Sequence, residues 1–503
     1  MAYTLLLVFL LPTLGVPFVY FTGKKSPRAA ALLVALIALV NMALLFTTVP
    51  AVLDSPSHQY VEPYEWIPIL ESEFTLFVDG ISVSLAIITS ALIIVAALFS
   101  VNYMKEKKNL AVYYSLLTLL SIGLVGVFIT SNLLLFYFCW ELMLVPAYFI
   151  IGGWGYRDPY RAAFKFFIFT HAGAVFVLLG IGAIYMVTGT TDMFIAQGLL
   201  MSTPDIAKWI LLSLTAGFAV KMAVVPVHMW LPDAHSEAPS PMSALLSGVI
   251  ISAGAYAILR LSLGTVFPAV MDTAFGSDFV HGLAIFGVIS AFFGSLIALV
   301  ETDIKRIIAY SSIAHMGYVM FGLSLFPSSL GAGVVVITAA ITGTVLHLLT
   351  HAVSKGLLFL SAGAIMHQTE IRDIREMGGL AGKMPFTAVA STTAALSIAG
   401  TPPFACFISE FLIFVGAFEV ISTDGFFLLP TAFMLVATVL SLAYSLRYLS
   451  HVFLGHSKAE GEKKIVDVPN YMKAAMAILV ILVIVLGIWP TFFVHLINTV
   501  TFI

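Results

Sequence analysis

Apolar residues run through this chain in stretches of 20 or more from one end to the other, parted by short polar segments. A bilayer core of about 30 Å needs roughly 20 apolar residues to span it as a helix. Each stretch therefore predicts one crossing, and fourteen are expected, beginning near residues 3, 29, 80, 110, 131, 162, 208, 241, 279, 304, 329, 385, 426 and 471. The fold class that follows is an all-α polytopic membrane protein. No basic leader with a small-residue cleavage site precedes the first run, so that run is expected to be a retained helix.

Two of these helices carry breaks. The seventh reads KMAVVPVHMWLPDAHSEAPSP from Lys221 to Pro241 and is interrupted at Pro226. The twelfth is interrupted at GTPPF, Gly400 to Phe404, just before SEFLIF. Proline removes a backbone donor and clashes with the preceding turn, and the freed carbonyls need protein or internal water in a membrane. Being five spans apart, the two helices run in opposite directions. That predicts two inverted five-helix repeats, helices 4–8 over residues 110–265 and helices 9–13 over 266–456. Helices 1–3 would occupy 1–109 and helix 14 would occupy 457–503. Broken helices in matching positions of inverted halves point to a transport site.

With 60% hydrophobic residues, 10% charged residues and a mean hydropathy of +1.06, each charge is informative. Lys24, Lys25 and Arg28 follow the first helix, whereas the segment 51–79 holds acids but no lysine or arginine. The positive-inside rule puts the first loop inside and the second outside. Alternation then leaves Lys208 and Arg260 near the outer side and Lys221 and Lys355 within the membrane. The remaining basic residues, Lys305, Lys458, Lys463 and Lys464 among them, fall on the inner side. Both termini are expected outside a cell (inner, cytoplasmic) membrane.

The chemistry lies in the buried polar residues. Lys221, about 20 Å into its helix at ~1.5 Å per residue, is too deep to reach the surface. Glu141, in FYFCWELMLVPAYF, is expected to be its charge partner. In HLLTHAVSKGLLF, residues His347, His351 and Lys355 stand at i, i+4 and i+8, a stripe with steps of about 6 Å. Histidine changes charge near neutrality, which suits a proton relay. Glu410 is the one acid in the middle of helix 12, and His171, His228 and His315 are further relay candidates. The two cysteines, Cys139 and Cys406, belong to no metal-binding pattern, so no cofactor or metal is expected in this chain. Nor does a nucleotide-binding glycine loop mark a catalytic site of its own.

Five passages carry a specific resemblance: YFCWELMLVPAYFIIGGWG, KMAVVPVHMWLPDAHSEAPSPMSALLSG, ETDIKRIIAYSSIAHMGY, HLLTHAVSKGLLFLSAG and GTPPFACFISEFLIF. Over about residues 75–450 the chain resembles the antiporter-like subunits of respiratory complex I, nearest the NuoM type. It is also similar to Mrp-type sodium/proton antiporter subunits and to subunits of archaeal membrane-bound hydrogenases and sulfur reductases. The resemblance implies that Glu141, Lys221, His347, His351, Lys355 and Glu410 translocate ions. It also implies membrane-arm subunits of a redox complex as partners, with no role for nucleic acid. The expected function is proton translocation in such a complex, including NADH:quinone oxidoreductases. The alternatives are an Mrp-type antiporter subunit that moves sodium, or a passive structural subunit. One departure stands out: where the NuoM type usually has a lysine in helix 8, this chain has Ser252, which binds water but holds no proton at ordinary pH.

Overall fold

The computed structural model describes residues 3–55, 57–70, 72–326, 339–456 and 465–500. In chain order its helices are α1 (Thr4–Lys25), α2 (Pro27–Asp54), α3 (Gly80–Tyr103), α4 (Leu110–Gly126), α5 (Leu133–Leu142), α6 (Leu144–Trp154) and α7 (Pro159–Thr188). There follow α8 (Met193–Leu200), α9 (Pro204–Met222), α10 (Leu231–Glu237), α11 (Ser240–Leu245), α12 (Ile251–Ala257), α13 (Ala274–Val300) and α14 (Ile304–Ser324). The last are α15 (Ala339–Thr369), α16 (Pro385–Ile398), α17 (Ala405–Ile421), α18 (Leu428–Phe453), α19 (Asn470–Ile488) and α20 (Thr491–Asn498). π-helical turns over 246–250 and 258–266 join α11 and α12 into one continuous rod, Ser240–Ala269. Eleven helical segments among the described residues are long and apolar enough to cross a membrane. The expected start of a span near 329, and Lys458, Lys463 and Lys464, lie outside the described residues.

The expectation of an all-helical chain needs one correction, in the acidic segment before α3. Strand β1 (Gln59–Glu62) pairs antiparallel with β4 (Leu76–Asp79), and β2 (Glu65–Ile67) pairs with β3 (Ser72–Glu73). The strands bring Glu62 to the start of α1, where its carboxylate accepts from the free Leu5 and Leu6 amides at 3.0 Å. An anion at a helix N-terminus satisfies donors that have no partner within the helix. A loop too polar to be a span thus caps the first one.

Four rods form the centre. The apolar windows of Ser240–Ala269 and α15 are wholly buried within the chain, and those of α14 and α3 are nearly so, whereas α1 and α18 bury only a third. α15 packs on α3, α11, α14, α16, α17 and α19. Close approach depends on small residues, as is usual between membrane helices. A Cβ added at Gly217 would stand 2.5 Å from the Gly173 carbonyl of α7, and one at Gly317 would stand 2.5 Å from the Ala291 amide of α13.

At the top of α3, Asp79 caps the helix by accepting from the Ile81 and Ser82 amides, while Ser82 bonds back to the Asp79 amide. The same carboxylate forms an ion pair with Arg260 of the second π-helical stretch, and both side chains are almost fully buried. Removing one partner of a buried pair leaves the other charge uncompensated. Asp79→Asn keeps the cap but removes the charge. It is expected to lower stability by about 3–5 kcal/mol, read as a fall in the thermal unfolding midpoint in detergent; an unchanged midpoint would show that the pair contributes nothing.

Candidate functional site

α9 ends one residue after Lys221, with Ala223 in the left-handed conformation and Pro226 following. Across from it, α5 ends at Leu142, one residue beyond Glu141, and α6 starts at Leu144 with Pro146 in its first turn. The Pro146 ring supplies no amide to the preceding turn, and the helix is interrupted at Met143. Lys221 Nζ uses this opening: it donates to the Trp140 carbonyl at 2.8 Å and lies 3.8 Å from the centre of the Trp140 ring. Two favourable features meet there, a main-chain acceptor and a cation over an indole face.

Glu141 acts on the charge of Lys221 as expected, but from a distance and without a direct ion pair. Its Oε2 lies 3.3 Å from His171 Nδ1 on α7, and no carboxylate oxygen among the described residues comes within 4.0 Å of Lys221 Nζ. The reason is angular: successive helix residues point about 100° apart, so when the Trp140 main chain meets Lys221, the Glu141 side chain turns toward α7. Glu141 remains within electrostatic reach of the lysine. The pair is also partly open, with the His171 side chain half exposed.

The second cluster is denser. His315 of α14 and His347 of α15 face each other, Nδ1 to Nε2, at 3.1 Å. His347 Nδ1 meets Ser409 Oγ at 2.9 Å, and His315 Nε2 meets the Tyr444 hydroxyl at 3.3 Å. Glu410 of α17 brings Oε1 to 4.0 Å from His315 Nδ1. His351 completes the group, its ring centre 6.2 Å from His347 and 5.6 Å from His315, with neither nitrogen hydrogen-bonded. One turn on, Lys355 donates to Ser311 Oγ and to the Ile308 carbonyl. The His347–His351 step of 6.2 Å is close to the roughly 6 Å expected, and His315 and Glu410, both candidates from the sequence, lie against it.

Other candidates stand apart from these clusters. Ser252 is buried and donates to the Gly248 carbonyl at 3.0 Å, so its own helix satisfies it. His228 lies against Phe293, with 4.8 Å between ring centres, and no contact joins it to either cluster. Sequence reasoning missed His235, Lys305, Trp140, Ser409 and Tyr444. His235 is fully buried, stacks on Phe359 at 4.6 Å and has neither ring nitrogen bonded. Lys305, expected at the inner surface, is fully buried and donates to the Ala238 carbonyl. Both lie at or near interrupted backbone, where span counting gives no depth. At the charged end of the bundle, the Arg375 guanidinium bonded to Asp373 draws that carboxyl down to about 2, so it stays ionised.

All three buried lysines, Lys221, Lys305 and Lys355, thus donate to main-chain carbonyls. A carboxylate partner would be left as an uncompensated anion if its lysine lost a proton, whereas a carbonyl accepts from ammonium and neutral amine alike. Such a lysine can exchange its proton without stranding a charge.

Comparison with known proteins fits this geometry. Residues 130–441, which include the ionisable residues of both clusters from Glu141 to Glu410, match the family described as NADH:quinone oxidoreductase/Mrp antiporter, transmembrane. The chain belongs to that antiporter family. Among family relatives, the NADH-quinone oxidoreductase subunit M of Rickettsia conorii is 33% identical over 492 residues, 96% of this chain and 94% of the relative. The F(420)H(2) dehydrogenase subunit M of Methanosarcina mazei is 31% identical over 496 residues, again 96% and 94%. A chain of the archaeal membrane-bound sulfane sulfur reductase superposes with a TM-score of 0.83 at 26% identity, over 97% of this chain and 76% of that one. A chain of Thermus thermophilus respiratory complex I shares the fold, with a TM-score of 0.81 at 23% identity over 98% of each chain. This antiporter-like subunit is therefore a multi-pass membrane protein whose relatives work in multisubunit complexes.

The break before Glu410 depends on one glycine. Gly400 has a φ of +64°, and a Cβ there would stand 2.5 Å from Glu410 Oε2. Gly400→Ala is expected to cost about 1–2 kcal/mol for the left-handed backbone alone and to displace the carboxylate. Gly425→Ala, where an added Cβ meets nothing within 4 Å, serves as the control. Equal thermal midpoints for the two variants, with Glu410 unmoved in a structure of the first, would refute this.

Proposed function

We propose that the chain is the proton-translocating, antiporter-like subunit of a redox-driven membrane complex. It carries protons along a buried line from Glu141 and Lys221 to Lys355, His351, His347 and His315, and out by Glu410. The observation that supports this is the second cluster, where three histidines and a carboxylate from three separate helices converge in the chain's interior. Purely apolar packing would be cheaper in a membrane, because buried ionisable groups are costly to insert. On the first-half side, the partly open Glu141–His171 pair is where a charge on a neighbouring subunit would act on Lys221. Ser252 supplies no protonatable group between Lys221 and Lys355. Water, or His235 stacked one turn from Lys355, would bridge that gap.

The same reading takes the chain as fourteen spans in a cell membrane with both termini outside. Helices α4 and α9, and α16 with α17, would be added to the eleven long apolar segments. Two inverted repeats, helices 4–8 over 110–265 and 9–13 over 266–456, are supported by matched close approaches. In the first block, glycines bring α4 against the α5 end and α7 against α9; in the second, they bring α13 against α14 and α15 against α17. The electron donor and acceptor would lie on other subunits, in keeping with the relatives named above.

Lys221→Ala is expected to assemble yet lose most ion pumping per redox turnover in sealed vesicles; normal pumping by an assembled variant would sink this reading. The same assay run with and without sodium distinguishes proton transport from sodium/proton exchange. Replacing His347 and His351 together by leucine should dry the second cluster and stop transfer, while Ser252→Ala has a smaller effect. Full pumping by the double variant would return those histidines to a packing role.

A further inference from the structure

We infer that His315, His347 and Glu410 form a binding site for one divalent transition cation of the zinc class. Each of the three offers a ligand atom within 4.8 Å of the others, and His315 Nδ1 lies 3.1 Å from His347 Nε2 and 4.0 Å from Glu410 Oε1. All three side chains are more than nine-tenths buried, and Glu410 Oε1 has no hydrogen-bond partner. The far nitrogens decide which tautomers face inward. Ser409 Oγ gives its own proton to the Cys406 carbonyl, and the Tyr444 hydroxyl gives its proton to Ser441 Oγ. A hydroxyl that donates in this way can accept from its imidazole, and the tautomers we assign on that basis carry N–H on His347 Nδ1 and on His315 Nε2. With that assignment the two inward nitrogens, 3.1 Å apart, both present lone pairs. Facing lone pairs repel unless a cation stands between them, and the cation can be a proton or a metal. Histidine ligands oriented from behind in this way are the usual arrangement around bound metal.

The donor set selects the metal. Two imidazoles and a carboxylate suit zinc and its first-row neighbours, whereas magnesium and calcium take oxygen ligands. Metal–nitrogen bonds of about 2.0–2.1 Å in a tetrahedron place donors roughly 3.3–3.4 Å apart. The imidazoles need to part by only a few tenths of an ångström from 3.1 Å, and Glu410 needs to close in from 4.0 Å. Three protein ligands leave a fourth position for water, as in open zinc sites. One consequence rests on the proposed function: a metal here takes the proton's place between His315 and His347 and stops transfer.

The test uses Co²⁺, which reports coordination by its visible absorption, added to the membrane complex carrying the full chain. The expected result is a four-coordinate Co²⁺ spectrum that Zn²⁺ displaces, and the loss of one bound equivalent in His347→Gln and in Glu410→Gln. Ser409→Ala touches no metal but frees the His347 ring, and should weaken Co²⁺ binding by about 10–100-fold. Should either ligand variant fail to assemble, the serine variant decides the matter. Equal Co²⁺ stoichiometry and affinity in parent and variants overturns the site. Pumping is measured in parallel with Zn²⁺: binding that the ligand variants abolish but that leaves pumping intact supports the site and overturns the proton route through it. The two readings thus fail separately.

Discussion

Charge inside a bilayer must be met by dipoles; for Lys221 and Lys305 the interruptions in these helices supply them, while Lys355 uses Ser311 Oγ and the Ile308 carbonyl within α14. A straight helix uses its interior carbonyls for itself. Where α5 stops at Leu142 the Trp140 carbonyl becomes available to Lys221, and between α10 and α11 the Ala238 carbonyl becomes available to Lys305. Proline, which weakens helices elsewhere, here stands beside the acceptors for cations, Pro146 after Trp140 and Pro239 after Ala238. The ammonium groups are then solvated by neutral groups, and their protons are held without being locked in ion pairs. The one fully buried arginine, Arg260, is treated differently: it is paired with Asp79 and fixes the start of α3. A guanidinium does not release its proton under ordinary conditions, so that pair is a structural clamp, whereas Lys221 and Lys355, held by neutral acceptors, are the groups the proposed route uses.

Much of this was legible in the chain because the bilayer imposes a length on apolar runs and a price on charges. The helices, the breaks at Pro226 and at Gly400–Phe404, and the axial stripe of His347, His351 and Lys355 all follow from period and polarity. Side-chain direction across helices was not legible. Depth along a span is set by counting residues, but rotation about its axis is set by which neighbour packs on it. Glu141 therefore turned out to face His171, with the Trp140 carbonyl and ring in the place assigned to its carboxylate. His235 and Lys305 were hidden for a related reason: each sits in or beside irregular backbone that looks like loop, yet is buried among the central rods. The strands before α3 were missed because the acidic run lacks the alternation that usually marks them.

The two clusters share a plan. In each, one group comes from the second helix of a proposed repeat, one from the third and one from the fourth: Glu141, His171 and Lys221 in the first, His315, His347 and Glu410 in the second. The contacts correspond, with 3.3 Å between Glu141 and His171 and 3.1 Å between His315 and His347. The identities do not. In the first cluster the group beside the break is a cation, which can only donate, so it turns to a carbonyl and leaves the carboxylate to its histidine. In the second the group beside the break is a carboxylate and both neighbours are imidazoles, so every inward atom can accept. With their N–H groups turned to Ser409 and Tyr444, as assigned above, the imidazoles leave lone pairs facing inward. In the proposed route this cluster receives a proton from Lys355 along the His351 turn, and the same lone pairs make it a candidate ligand set. The exposure of the two clusters follows the same division, half-open at His171 and sealed at His347, so in the proposed route a neighbouring charge would act on the first and the transported ion would sit in the second.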